Sequence, residues 1–146
     1  MQLADLAKKF TLGAGLSLAL FSGASAQTIK IGVVAALTGG GAPWGLAAAE
    51  GVKIAAAELN AKGGLDVGGK KHQIQVVAYD DQYKAANAVA AYNRLVRQDG
   101  AKYVFFMSSA ATLALKQNVE DDKVVALTSS YSAKALDANT RYMFRL

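Results

Sequence analysis

The chain has 146 residues, a length that suits one domain, and 53% of them are apolar, enough to fill a core. Sixteen Lys and Arg against eleven Asp and Glu leave a net charge of +5. The basic residues are scattered with no run longer than two, the pattern of a solvated surface and not of a nucleic-acid footprint. Cysteine is absent, which excludes disulfides, thiol catalysis, cysteine–zinc sites, iron–sulfur clusters and a lipid anchor carried on a cysteine.

Residues 1–26 have the three-part layout of a secretory signal peptide. Lys8 and Lys9 are the positive region, Phe10 to Phe21 the apolar stretch, and Ser22-Gly23-Ala24-Ser25-Ala26 a small-residue cleavage site. The apolar stretch is too short to span a bilayer, which takes about 20 residues. The product is expected in the periplasm, with the domain in residues 27–146. Thr28 to Ala36 is an apolar, β-branched run expected as a buried strand. Leu37 to Gly45 reads as a glycine-rich loop that holds the only proline and Trp44. From Leu46 to Lys62, Ala48, Val52, Ala55, Ala56 and Leu59 recur at helical spacing, and Gly63-Gly64 supplies the stop.

Lys71 to Asp80 reads as a second strand. Ala85 to Asp99 reads as a helix with Ala88, Val89, Tyr92, Leu95 and Val96 on one stripe and Gly100 as its stop. Lys102 to Met107 is a third strand, Thr112 to Val119 a shorter helix and Val124 to Thr128 a fourth strand. A short turn or helix near Ala133 to Leu136 leads to a last extended piece, Tyr142 to Leu146. The sum is an α/β fold, a mainly parallel sheet flanked by helices and joined by right-handed crossovers. The chain stops straight after an apparent strand and reads as unfinished.

Ligands of open parallel sheets bind beyond the C-terminal strand ends. Here those ends are the loops Leu37–Trp44, Asp80–Tyr83, Met107–Ala111 and Thr128–Ser132. Hydroxyls, free N–H groups and a helix N-terminus on that rim suit a carboxylate. Ser108 and Ser109 also suit an N-cap, which uses the same N–H groups. Nucleotide motifs fail on the residues that matter. A G-x-G-x-x-G pattern from Gly39 puts Trp44 where the third glycine belongs, and the Gly40/Gly45 pair has no lysine after it to reach a phosphate. His72, the only histidine, starts a strand far from the rim and reads as a surface residue. Asp80-Asp81 lies on the rim, where acid/base or magnesium chemistry competes with a turn cluster bonded to backbone N–H groups; the turn cluster is favoured. Trp44 either walls a pocket or packs over the first helix.

The stretches Leu37-Thr38-Gly39, Ala42-x-Trp44-Gly45, Gly51-Val52-Lys53-Ile54-Ala55, Glu58-Leu59-Asn60-Ala61-Lys62-Gly63-Gly64, Tyr79-Asp80-Asp81 and Ala88-Val89-Ala90 follow one another in order. Together they resemble the leucine/isoleucine/valine-binding proteins among the type I periplasmic binding proteins, over Thr28 to Leu146. That resemblance implies two α/β lobes closing on a ligand by hinge motion. It places Ser109 and the N–H groups of Ala110 and Ala111 on the ligand carboxylate. It also implies a Ser130 carbonyl and a Ser132 hydroxyl as a clamp on the ligand's amino and carboxylate groups, with Trp44 facing the ligand.

Two loops depart from the family pattern. The turn after Asp81 usually holds proline and here reads Gln82-Tyr83-Lys84-Ala85, and the clamp loop Thr128-Ser129-Ser130-Tyr131-Ser132 carries a bulky Tyr131 that can reshape the pocket. Full members are more than twice as long, so the chain is expected to be an incomplete first lobe, without the acidic group that meets the ligand ammonium.

The leading reading is the periplasmic substrate-binding component of an ABC importer that captures an amino acid, of the branched-chain type, or an amide. It would be a monomer and not an enzyme, with no cofactor, no metal and no nucleic acid, and its partners would be ABC permease subunits of the inner membrane. One alternative is a periplasmic sensing or receptor module on the same fold. Another is a small α/β enzyme working on phosphorylated substrates through Asp80 and Asp81.

Overall fold

The computed structural model describes residues 27–146. The leader expected at residues 1–26 lies outside them. In chain order the elements are β1 (Gln27–Ala35), α1 (Ala42–Ala61), β2 (Leu65–Val67), β3 (Lys70–Asp80), α2 (Ala85–Arg97), β4 (Tyr103–Phe106), α3 (Ser109–Asp122), β5 (Val125–Thr128), a 3₁₀ turn (Ala133–Ala135) and β6 (Met143–Arg145).

The strands form one six-stranded sheet in the order β2-β3-β1-β4-β5-β6. Every neighbouring pair is parallel except β2–β3. β1 lies between β3 and β4, and its last four residues are buried, as a near-continuous apolar run on a covered sheet requires. The chain leaves β1 toward β3 and then turns back to add β4, β5 and β6 on the other side. β1 is therefore the switch point of the sheet.

The sequence pattern missed β2. Gly68 and Gly69, both at positive φ, make a two-residue turn that folds Leu65–Val67 back onto Lys70–His72. His72 is also a correction: it is buried, not a surface residue. Its Nδ1 lies 3.0 Å from the Lys70 carbonyl oxygen and its Nε2 lies 2.9 Å from Gln27 Oε1, so the ring pins the starts of β1 and β3 together.

α1 differs from its expected form in two respects. It starts at Ala42, with Pro43 in its first turn, so Trp44 sits on a helix and not in a loop. Its buried positions are Gly45, Ala49 and Ala56, while Ala55 and Leu59 face solvent. A helix built mostly of alanine gives little apolar periodicity, and here packing depends on smallness. A Cβ at Gly45 would come within 1.9 Å of the Ala36 carbonyl oxygen, so only glycine lets the helix start press against the end of β1. α2 buries Ala88, Ala91, Tyr92 and Leu95; of the stripe read from the sequence, Val89 and Val96 are only partly buried at its margin, and Ala91 joins it. Together with α3 it covers one face of the sheet, around Tyr92, Leu95, Phe106, Leu115 and Val119.

The other face is only partly covered. α1 packs over β1 and β3 there, around Val33, Ala35 and Ala49. Beyond it an apolar groove of about 420 Å³ runs past Ile31, Val52, Tyr103, Phe105, Leu127 and Leu146. Right-handed crossovers explain the gap. The connections β3→β4 and β4→β5 run in one direction across the sheet and put α2 and α3 on one face, and only the reverse connection β1→β3 delivers a helix to the other.

Two outcomes follow from this packing. Gly45→Ala is expected to cost about 3 kcal/mol in a urea unfolding experiment, and a loss well under 1 kcal/mol would show that α1 is not seated as described. Tyr103 and Leu127 are exposed on the bare face. Replacing both with lysine is expected to keep the circular dichroism spectrum while lowering self-association of the chain and its binding of an apolar dye; unchanged self-association would contradict an uncovered apolar face.

Candidate ligand-binding site

Parallel pairing in register brings the C-terminal ends of β3, β1, β4 and β5 to one edge of the sheet. The four loops that leave this edge are tied to one another by side chains. Asp80 holds the loop after β1: its Oδ1 accepts from the Leu37 N–H at 2.8 Å and the Thr38 N–H at 3.4 Å, and its Oδ2 accepts from the Thr38 hydroxyl. The same Oδ1 accepts from the Gln82 N–H at 2.8 Å. Partial desolvation pushes the Asp80 pKa upward, but the Thr38 hydroxyl and the Gln82, Leu37 and Thr38 N–H groups outweigh it, and the net pKa lies below the ordinary value.

Asp81 is in the opposite situation. Its carboxyl is fully buried, Oδ1 accepts from the Tyr83 N–H at 2.8 Å, and Oδ2 has no hydrogen-bond partner among the described residues. Burial raises its pKa, and the neighbouring Asp80 charge adds to the effect. Between them the two carboxylates hold Gln82 and Tyr83 in left-handed backbone, φ 50° and 61°, a conformation that costs non-glycine residues about 1 kcal/mol or more each. This is the turn cluster expected from the sequence, with one oxygen of each carboxyl bonded to backbone N–H groups.

On the other side of β1, α3 starts earlier than its apolar pattern indicated. Ser108 is the N-cap, its Oγ accepting from the Ala111 N–H at 3.1 Å, and Ser109 is the first helical residue. The Ala111 N–H is therefore used by the cap and buried, while the N–H groups of Ser109 and Ala110 head a helix that offers them no internal partner.

A buried chain of hydroxyls joins this turn to the loop after β5. Thr112 donates to the Ser108 carbonyl oxygen at 2.8 Å, so the 2.6 Å contact between the two threonine hydroxyls is donated by Thr128. Thr128 Oγ1 in turn accepts from the Ser130 N–H at 3.0 Å. Closer to the surface, Ser130 Oγ donates to Ser109 Oγ at 2.9 Å, and the Tyr131 N–H donates to the same oxygen at 3.2 Å. Both lone pairs of Ser109 Oγ are thus engaged, and its own hydrogen has no acceptor among the described residues. That O–H is the donor the site presents.

A cleft of about 450 Å³ opens over these strand ends. Trp44 and Ala48 wall it from α1, Tyr83 from the turn after β3, Phe105, Met107 and Ser109 from β4 and its exit, and Ser129 and Tyr131 from the loop after β5. Trp44 is 74% exposed and Tyr131 97% exposed, so neither ring is part of the core. Of the residues expected from the sequence, Trp44 and Ser109 line the cleft. Ser130 is buried behind Ser109, and Ala110 and Ser132 do not line the cleft; the Ser132 hydroxyl accepts from the Lys134 N–H at 3.3 Å. Tyr83 and Met107 were placed on the rim only as ends of its loops, and Phe105 was not singled out from the sequence, because a strand residue in an apolar run gives no sign that it faces a cleft.

Among the described residues no charged side chain lines the cleft. Among the described residues no group of three or more His, Cys, Asp or Glu is placed to hold a metal ion, and no helix is long and apolar enough to cross a membrane. Hydroxyl and N–H donors at the switch point of a doubly wound sheet, walled by aromatic rings, define an α/β domain built to hold a small molecule.

The chain belongs to the periplasmic binding protein family, whose model matches residues 28–146. It is 35% identical over 131 residues to the Leu/Ile/Val-binding protein of Escherichia coli K12, a match covering 89% of this chain and 34% of that protein. It is 36% identical over 130 residues to the Leu/Ile/Val/Thr-binding protein of Salmonella typhimurium, covering 88% of this chain and 34% of that one. A solved branched-chain amino acid transporter substrate binding protein from Streptococcus pneumoniae, in complex with isoleucine, superposes with a TM-score of 0.70 and 30% identity, covering 82% of this chain and 33% of that one. The resemblance read from Leu37 to Ala90 is confirmed, and the fold is part of the type I periplasmic binding protein fold. The chain spans about a third of the length of the curated relatives it matches.

The two adjacent carboxylates give opposite pH signatures. The raised Asp81 pKa means that its contribution to stability is present in acid and lost as pH rises through the folded value; the lowered Asp80 pKa means a contribution present near neutrality and lost in acid. Asp81→Asn is therefore expected to gain stability relative to the parent as pH rises from about 4 toward 7, while the deficit of Asp80→Asn is expected to stay constant over that range and to shrink only below about pH 4, in chemical denaturation at each pH. Parallel behaviour of the two variants would contradict the assigned environments.

Proposed function

We propose that this chain is part of the first lobe of the substrate-binding component of an ABC importer, exported to the periplasm and working as a monomer with inner-membrane permease subunits. It captures a small amino acid and catalyses nothing. The apolar walls, and relatives named for leucine, isoleucine and valine, make an apolar amino acid of the branched-chain type the first candidate. The carrying observation is the Ser109 hydroxyl. Its oxygen accepts from the Ser130 hydroxyl and the Tyr131 N–H, its hydrogen has no acceptor among the described residues, and it lines the cleft at the head of α3. A ligand carboxylate accepts from such donors through short, charge-assisted bonds. With no lysine or arginine on the walls, a zwitterion suits the cleft better than an anion.

A cleft closed by one lobe supplies a share of the contacts that two lobes would. The 146-residue chain is expected to bind leucine with a dissociation constant of roughly 1 mM or weaker, since the cost of immobilising a ligand is met by few contacts. Titration followed by NMR is expected to move the Ser109 and Ala110 amide signals. Ser109→Ala is expected to weaken binding about tenfold, the worth of one hydrogen bond to a charged group. Micromolar binding by the parent would contradict the half-site reading, and unchanged binding by Ser109→Ala would contradict the role of the hydroxyl.

A further inference from the structure

We propose that Lys116 is a positioning residue for the cleft: acting through the connection between β5 and β6, it fixes the Ser109 hydroxyl in place. The inference deepens the amino-acid reading above and rests on it for the ligand, although part of its test needs no ligand.

The other parallel crossovers of the sheet each carry an α-helix, whereas Ser129 to Tyr142 holds only the 3₁₀ turn Ala133–Ala135. A crossover without a helix leaves its backbone polar groups to find partners elsewhere. α3 supplies them. Thr112, Lys116 and Glu120 follow one another at every fourth position and so share one face of the helix, and each bonds a successive part of the connection. The Thr112 hydroxyl meets that of Thr128 at 2.6 Å where the connection starts. Glu120 Oε1 accepts from the Arg141 and Tyr142 N–H groups at 2.9 and 3.0 Å where it ends. Between them, Lys116 Nζ donates to Asp137 Oδ2 at 2.6 Å and to the Lys134 carbonyl oxygen at 3.2 Å.

That middle bond leads back to the cleft. The Lys134 N–H donates to Ser132 Oγ at 3.3 Å, the Ser132 N–H to Ser130 Oγ at 3.2 Å, and the Ser130 hydroxyl to Ser109 Oγ at 2.9 Å. Ser109 and Lys116 stand about two turns apart on α3, so these bonds close a ring of helix and connection. The ring sets Ser130 and Tyr131 against Ser109, and their two donors decide where the remaining hydrogen of Ser109 Oγ can go. Lys116 is the charged link of that ring. Its ammonium and the Asn139 N–H hold the Asp137 carboxyl below its ordinary pKa, so the clasp keeps both charges near neutrality. Lys116 lines a separate groove with Glu120, Asp137 and Asn139, so its influence reaches the cleft through the serines and not by contact. With the Lys116 side chain 23% exposed and that of Asp137 52%, the clasp is worth a factor of at most about five.

The test is NMR on the nitrogen-15-labelled 146-residue chain and its Lys116→Met, Lys116→Arg and Asp137→Asn variants, with and without L-leucine. Without leucine, Lys116→Met and Asp137→Asn are each expected to speed solvent exchange of the Tyr131 amide about two- to fivefold, with β4 amides unchanged and Lys116→Arg near the parent. Asp137→Asn breaks the same clasp from its more exposed side and decides the matter should Lys116→Met loosen β4. With leucine, Lys116→Met is expected to weaken binding about threefold in the parent and by less than about 1.3-fold in a Ser109→Ala background. That non-additivity separates a residue acting through the hydroxyl from one that only stabilises the fold. An equal loss in both backgrounds, or a Tyr131 amide that neither variant moves, overturns the positioning role; the amino-acid site still stands if Ser109→Ala weakens binding. No response to leucine at Ser109 and Ala110 of the parent overturns the amino-acid reading, and Tyr131 exchange then decides the positioning role by itself.

Discussion

Two donors from the loop after β5, the Ser130 hydroxyl and the Tyr131 N–H, converge on the oxygen of Ser109 at the head of α3. The rest of the site is arranged around that junction. A serine hydroxyl has two lone pairs and one hydrogen, so filling both lone pairs from behind fixes where the hydrogen can go. The result is a rotor with its choices removed, which spares the ligand the entropy of ordering it. The same two bonds fasten the β4 and β5 loops together, so the donor and the aromatic wall beside it share one rigid unit.

This arrangement persists because it is anchored below the surface. The buried Thr112–Thr128 pair ties α3 to the end of β5, and each hydroxyl is satisfied by a carbonyl oxygen or an N–H on either side. A buried network of this kind rigidifies only when it is complete. On the far side of β1, Asp80 performs the corresponding task by gathering three backbone N–H groups and a hydroxyl, which brings the β1 and β3 loops into one unit. Asp81 shows what that compactness costs: its second oxygen is buried and unmatched. The rim thus consists of two fastened pairs of loops facing each other across the switch point, and the cleft lies between them.

Much of this was legible in the sequence, and the exceptions have physical reasons. The central strands announce themselves as near-continuous apolar runs, the Ile-Val-rich β1 and the Tyr-Val-Phe-Phe of β4, although the face of β4 that carries Tyr103 is uncovered. The α2 stripe was readable because Tyr92 and Leu95 stand out against polar neighbours. α1 was not, since alanine is nearly neutral and the helix is positioned by the missing Cβ of Gly45. β2 is three exposed residues, below the length at which alternation has meaning, although Gly68-Gly69 was a turn signal that could have revealed it. His72 looked exposed because its partner Gln27 is 45 positions away in sequence, and only the register of β1 against β3 brings the two together.

For the site, spacing alone placed Ser109 and Trp44 on one rim, because parallel topology dictates which strand ends are neighbours. It did not distinguish Ser108 from Ser109. One is spent capping α3 and the other is turned outward, a division of labour set by a single residue of helix phase. Nor did it separate Ala110 from Ala111, whose N–H is taken by the cap. The most direct test of the account is a crystal structure of the chain grown with a saturating L-amino acid. The account predicts a ligand carboxylate oxygen within hydrogen-bond reach of Ser109 Oγ, about 2.6 to 2.8 Å, with the Ser130 and Tyr131 bonds to that atom intact. A ligand bound elsewhere on the sheet edge, or a Ser109 turned away from its carboxylate, would contradict it.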